Sequence, residues 1–331
     1  METPLKAPVT LQEAIVYFSD ADRCREYYVA HRWPDGVTCP QCGEKNVAWQ
    51  PKYNRWQCNN RHDRRQFTAK TGTVMEDSPI TLDKWMMAMW MVFNCKNGVS
   101  SWEIHRAIGV TQKSAWFLNH RIRFALHRGT LEMMKGECEA DETFIGGKAR
   151  NMHKDVKARR ITGTGSKDKT AVMGILERGD KEKGTHSRVK TTVVQDRKKK
   201  TLQAEVKANV AAGSALYSDA LLSYAGLDSE YAHQVVDHAV EYVRGKVHTN
   251  GLENFWSLFK RGVNGTYVSM EPFHLFRYLD EQEFRFNNRG TRENPVNDGQ
   301  RFSMVLSMVA GKRLTYKELT GKTQEDKLQS F

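Results

Sequence analysis

Glu137-Cys138-Glu139-Ala140-Asp141-Glu142-Thr143-Phe144-Ile145 is where the chain changes period, from the three-to-four spacing of helices to alternation. Alternation of this kind describes a half-buried strand, and Gly146-Gly147 ends it. Four more strand-like runs follow. Residues 171–176 and 188–195 flank a charged turn at 179–184, residues 215–219 form a short run ending on a carboxylate, and residues 231–237 make the fifth. Helical patterns occupy 201–210, 220–225 and a longer stretch beginning near 248. Three strands, helix, strand, helix, strand, helix predicts an α/β fold built on a mixed sheet.

The stretch His248-Thr249-Asn250-Gly251-Leu252-Glu253-Asn254-Phe255-Trp256-Ser257-Leu258-Phe259-Lys260-Arg261 has its apolar residues Leu252, Phe255, Trp256 and Phe259 at helical spacing. Thr249 or Asn250 can act as N-cap. Asn250, Glu253, Ser257 and Lys260 share one polar face. Asn250 with Glu253 can be an ordinary capping box. What argues for chemistry is their company. Asp141 lies in the first strand and Asp219 ends the fourth, and this strand order allows the two strands to be neighbours. Oxygen ligands of this kind select Mg²⁺ or Mn²⁺. Two such ions about 4 Å apart can activate a water or 3′-hydroxyl and stabilise the leaving oxygen in phosphoryl transfer. Further on, 272–289 reads as an amphipathic helix with a structural ladder of Glu281, Arg285 and Arg289.

Upstream, Cys39-Pro40-Gln41-Cys42 is followed by Cys58 and, four residues on, by His62. This spacing fits a tetrahedral structural Zn²⁺ site, and the residues between suit the short hairpins of a zinc ribbon. A second C-x2-C pair would be commoner, but Arg61 stands in that place, so His62 is the nearby fourth donor. Residues 10–33 read as one or two short helices, closed by Pro34-Asp35-Gly36. Residues 81–127 are helical. Within them, 100–108, a turn at Gly109-Val110 and a helix capped by Thr111 match a helix-turn-helix, in which Gln112, Lys113 and Asn119 can reach bases or phosphates.

Lys and Arg exceed Asp and Glu by 51 to 39, a net charge of +12 that points to a polyanionic partner, most often nucleic acid. Residues 146–200 hold 17 Lys/Arg against 6 Asp/Glu, so +11 of that excess is local. Lys154, Lys157, Arg159 and Arg160 sit there in a glycine-containing loop suited to a phosphate track. Gly163-Thr164-Gly165-Ser166-Lys167 lacks the phosphate-loop spacing. No apolar run is long enough to span a membrane. The N-terminus lacks a secretory pattern, which predicts the cytoplasm and six cysteines outside a disulfide framework.

Taken together, these motifs resemble the DDE transposases of bacterial insertion sequences, in the zinc-ribbon-bearing ISXO-type branch. The resemblance is carried by Cys39-Pro40-Gln41-Cys42 with Gln66-Phe67 and Thr71-Gly72-Thr73; by Glu139 through Lys148; by Ser218-Asp219; by His248-Thr249-Asn250 with Glu253 through Arg261; and by Arg277 through Glu281 with Arg285 through Arg289. It implies a ribonuclease H-like core and divalent metal held by Asp141 and Asp219. It also implies cutting and joining of double-stranded DNA at the element's inverted-repeat ends and in the target. For the third catalytic position the family has Asn or Glu followed by Lys, and this chain offers Asn250, Glu253 and Lys260. Glu253 is the stronger metal ligand on chemical grounds. Joining two ends implies a homodimer or higher synaptic oligomer, nucleoid-associated when bound to DNA. The expected organisation is a helical segment over 1–36, a zinc ribbon over 37–70, a helix-turn-helix over 80–130, a catalytic domain over 136–290 and a tail over 291–331. The competing reading is a non-catalytic DNA-binding regulator derived from such an enzyme.

Overall fold

The computed structural model describes residues 6–127, 132–146, 154–155, 169–180, 182, 184–219, 222–236, 247–268 and 270–321. The chain divides into two compact units, Met1–His127 with Val296–Gln329, and Arg128–Pro295 with Ser330–Phe331.

In the first unit, α1 (Leu11–Phe18) opens with a capping box between Thr10 and Glu13, and α2 (Ala21–Arg32) is capped by Asp20. A three-stranded antiparallel sheet follows, with β1 (Val47–Gln50), β2 (Arg55–Cys58) and β3 (Gln66–Phe67) in sequence order. The β1–β2 connection turns through Asn54, in the left-handed region at φ 49°. Next come α3 (Leu82–Asn94), α4 (Ser101–Ile108) and α5 (Gln112–Leu126). Trp85, Met86, Ala88, Met89, Trp90, Val92 and Phe93 bury α3 on most of its circumference, which makes it the core helix of this unit.

Residues 298–306 and 316–319 are helical. They belong to the first unit as α9 (Asp298–Leu306) and α10 (Tyr316–Leu319) and complete its core. Asn297 and Gln300 form a capping box, and Phe302 packs its ring against Phe18 and Trp90 at centroid distances of 5.6 and 5.1 Å. Phe302, Val305, Leu306 and Val309 are all buried, at helical spacing.

The second unit is built on a five-stranded sheet: β4 (Glu137–Ile145), β5 (Thr170–Glu177), β6 (Arg188–Val194), β7 (Ala215–Asp219) and β8 (Ala232–Val236), in the spatial order β6-β5-β4-β7-β8. Strands β4, β5 and β6 pair antiparallel, while β7 joins β4, and β8 joins β7, in parallel. A parallel neighbour needs a crossover, which α6 (Lys199–Asn209) supplies between β6 and β7. Strand alternation sorts the two faces. Ala171, Met173 and Ile175 meet Leu202 and Val206 of α6 on one side. On the other, Val172, Leu176 and Val189 meet α7 (Asn250–Gly262) and α8 (Leu275–Asn287) through Leu252, Phe255, Trp256, Phe259 and Leu279.

Three local expectations are corrected. Over 220–225 the described residues hold a 3-10 turn at Leu222–Tyr224 rather than a helix. Tyr224 is buried and Leu222 is 85% exposed, so the segment has one anchor and no apolar stripe. Asn250 is the first residue of α7, not its cap. Thr249 takes that place without capping through its side chain, so the Asn250–Glu253 box does not form. In the ladder, Arg285 pairs with Glu281, which also accepts from the Tyr267 hydroxyl, but Arg289 instead lies 3.6 Å over the Phe286 ring.

Candidate active site and zinc centre

Cys39, Cys42, Cys58 and His62 gather so that their ligand atoms all lie within 4.8 Å of one another. Cys39 Sγ is 3.4 Å from His62 Nε2, and Cys42 Sγ is 3.7 Å from Cys58 Sγ. Sulfurs held at about 2.3 Å from a tetrahedral zinc stand about 3.8 Å apart, so the set has the size of a zinc cage. His62 Nδ1 is 2.6 Å from the Asp63 carbonyl oxygen. A proton on Nδ1 donated to that oxygen leaves Nε2 free to bind metal, the usual outer-shell arrangement. The Cys42 thiol is held below its ordinary pKa, chiefly by the Glu44 backbone N–H. Gly43 turns the knuckle at φ +78°. Three thiols and an imidazole at this spacing support a structural Zn²⁺.

The carboxylates come together through strand register. The last paired residues of the parallel β4–β7 ladder are Ala140 and Ser218, so Asp141, midway along β4, stands beside Asp219, the last residue of β7. Asp141 Oδ2 accepts a hydrogen bond of 3.0 Å from Trp256 Nε1 on α7. Burial first, then the negative charge of Asp219 and, less, that of Glu253, push the Asp141 carboxyl up to about 6. Both partners are therefore within electrostatic reach. Asn250, Glu253 and Lys260 are exposed along one face of α7.

Several neighbours were not identified from sequence patterns. Glu142 accepts from the Tyr224 hydroxyl on the opposite face of the sheet, and burial with the Asp219 and Asp141 charges raises its carboxyl to about 7. Glu139, 1% exposed, accepts from Arg178 Nε at 2.7 Å and from the Leu252 N–H at 2.9 Å. Arg178 also donates to the His248 carbonyl at 2.6 Å and stacks 4.4 Å over the Tyr217 ring. Only the alternation of β4, which puts Glu139 on the same face as Asp141, hinted at this.

In the first unit, α4 begins with a capping box between Ser100 and Glu103 and ends at Gly109 in the left-handed region. Thr111 then caps α5. Gln112 donates to Ser101 Oγ at 2.9 Å, and the Lys113 ammonium lies 5.0 Å from the centre of the Tyr316 ring. Asn119 is 1% exposed. It sits on the face of α5 turned into the core and is out of reach of a base, which corrects its expected role. Lys154 is exposed, whereas Lys157, Arg159 and Arg160 lie outside the described residues. Beside the zinc cage, a cleft of about 1010 Å³ is lined by Gln41, Gln57, Arg64, Arg65, Gln66 and Arg313, among others.

A mixed sheet flanked by helices, with a zinc ribbon in a separate unit, defines an α/β transposase architecture. The chain belongs to the ISXO2-like insertion-sequence transposases of the DDE class: residues 133–287 match the ISXO2-like transposase domain and residues 19–62 the transposase zinc-ribbon domain. A Halobacterium salinarum chain described as an uncharacterized protein in transposable element ISH50 is 28% identical over 252 residues, 70% of this chain and 80% of its own length. An uncharacterized transposase-like protein of Haemophilus influenzae is 36% identical over 105 residues, 30% of this chain and 82% of its own. No solved structure matches the chain. Among the described residues no helix is long and apolar enough to cross a membrane.

Proposed function

We propose that this transposase cuts double-stranded DNA at the ends of its element and transfers the resulting 3′-hydroxyls to target DNA. Its second unit is then a ribonuclease H-like core in which Asp141, Asp219 and Glu253 hold Mg²⁺ or Mn²⁺. The observation that carries the reading is the juxtaposition of Asp141, midway along β4, with Asp219, which ends the parallel neighbour β7, facing a helix whose Glu253 charge reaches Asp141. Ligand crevices of α/β sheets lie outside the carboxyl ends of strands, where Asp219 closes β7. Oxygen-only donors with unbalanced negative charge suit a hard divalent cation. Bound there, the metal would lower the pKa of the attacking hydroxyl and neutralise charge on the phosphate.

The chain's own residues do the rest. Trp256 holds the Asp141 carboxylate by its Nε1–H. Lys260, two turns from Glu253, is placed to meet a phosphate along the same helix face. In the cutting step a water oxygen bonds to phosphorus and the 3′-oxygen leaves as a hydroxyl. In joining, that hydroxyl attacks a target phosphate and releases a new 3′-end. The α4–turn–α5 segment, through Gln112 and Lys113, and the basic stretch carrying Lys154, Lys157, Arg159 and Arg160 supply DNA contacts in this reading, with a homodimer or larger synaptic complex holding two ends together.

The test is cleavage of a duplex carrying an element end, with and without Mg²⁺. Asp141→Asn and Asp219→Asn should each abolish cutting while the proteins still bind the duplex and melt as folded chains. Undiminished cutting by either variant overturns the assignment.

A further inference from the structure

We propose that Glu139 and Arg178 form a positioning unit that fixes the first turn of α7 on β4, and with it the place of Glu253 relative to Asp141. The inference rests on the metal-site reading given above.

The start of α7 lacks a side-chain cap of its own, so its first-turn N–H groups need outside acceptors. Glu139, 113 residues upstream, supplies one: its Oε2 accepts the Leu252 N–H at 2.9 Å. A buried carboxylate at a helix N-terminus also complements the helix dipole. The other carboxylate oxygen, Oε1, is held by Arg178 Nε at 2.7 Å, and the same guanidinium donates at 2.6 Å to the carbonyl of His248. The pair thus grips the chain on both sides of Thr249 and Asn250. Glu139 has its oxygens turned to the helix backbone and to Arg178, so it is a positioning residue rather than a catalytic one.

A second link sets the register. Leu252 and Trp256 are one turn apart on α7, about 6 Å. Their partners Glu139 and Asp141 are two residues apart on β4, about 6.6 Å. Helix and strand therefore rise together, and slipping α7 along the strand would break both bonds. Gly251 shows how close the approach is. A Cβ there would lie 2.8 Å from Glu139 Oε2 and 3.1 Å from Leu176 Cδ2, so a side chain at 251 forces the first turn and the carboxylate apart.

The experiment compares full-length wild-type protein with Glu139→Gln, Arg178→Lys and Gly251→Ala. It reads Mn²⁺ binding by calorimetry without DNA, single-turnover cleavage in Mg²⁺, duplex binding and melting midpoint. Residues that orient metal ligands typically affect metal affinity about 10- to 100-fold, and a displacement near 1 Å can cost about 100-fold in rate. We expect each variant to bind Mn²⁺ at least about tenfold more weakly and to cleave about 100-fold more slowly, with duplex binding unchanged. Arg178→Lys keeps the positive charge beside Glu139, and Gly251→Ala keeps both members of the ion pair, so folding loss in Glu139→Gln alone does not decide the matter. Variants with lowered midpoints but wild-type Mn²⁺ affinity and cleavage, measured while folded, would overturn the inference and leave the metal site standing. Wild-type protein that binds no Mn²⁺ would overturn the metal-site reading and this inference with it.

Discussion

Gly174 stands opposite Asp141 in the antiparallel β4–β5 ladder, beneath α7. A Cβ at this position would lie 2.6 Å from Trp256 Cζ2 and 2.9 Å from Leu252 Cδ2. Carbon atoms in contact prefer about 3.5–4.0 Å, so Gly174→Ala requires the indole, and the helix that carries it, to lift by about 1 Å. The strand cannot yield instead, because β5 is paired on both edges. Overpacking of this kind costs about 2 kcal/mol, a fall in melting midpoint on the order of 5 °C for a unit of this size. Cleavage should suffer more than stability. The displaced Trp256 holds Asp141, and a shift near 1 Å is worth about 100-fold in rate. Trp256→Phe removes the ring edge that the new methyl strikes. The double variant should therefore be more stable than the two single changes predict, by about 1 kcal/mol of coupling. Thermal melts and single-turnover cleavage of all four proteins make the comparison. A Gly174→Ala protein that melts and cleaves like wild type would refute this account of how α7 is seated.

Cys42→Ser should lose about one equivalent of Zn²⁺, measured by metal analysis, and unfold the ribbon while leaving the second unit's melting transition in place; a metal-free protein with an ordered ribbon would contradict it. Glu283 is buried on α8, where it accepts the Thr191 N–H at 2.6 Å, and burial, then the Asp280 charge, raise its carboxyl to about 7. Its folded-state pKa lies above the unfolded value of about 4.3, so its contribution is full below that value and is lost as pH rises through about 7, on the order of 3 kcal/mol in all. Glu283→Gln, which keeps the acceptor for Thr191, should therefore melt above wild type at pH 8.5 and lose that advantage by pH 5 in parallel thermal scans.

Much of this architecture can be read from residues because local pattern and tertiary demand agree there. The alternation of 137–145 and of 171–176 survives as two faces of a sheet, and Ala215–Asp219 is the strand its composition describes. The cysteine spacing fixes its cage because a metal knuckle is a local object. Other features depend on what lies across the fold. Asn119 looks like a DNA contact on a helical wheel, but the core takes that face. Glu139 reads as one more strand carboxylate until β4 meets α7. The tail after 291 shows no long periodic pattern, yet Asn297 with Gln300 and the run Phe302, Val305, Leu306, Val309 carry a cap and a stripe. Their charged neighbours hide a short helix whose partners on α2 and α3 lie 200 or more residues away.

The face of α7 decides the central claim. Asn250 opens the helix and Glu253 lies one turn on, with its charge felt at Asp141. Cleavage of an end-bearing duplex by Glu253→Gln and by Asn250→Ala, over a range of Mg²⁺ and Mn²⁺ concentrations, separates the two. Glu253→Gln keeps the side-chain shape but removes the charge a hard cation needs, and should be inactive yet folded and able to bind DNA. Asn250→Ala should retain cleavage, with any loss eased by Mn²⁺. A Glu253→Gln protein that cleaves normally beside an inactive, folded Asn250→Ala would contradict the account and make Asn250 the third ligand.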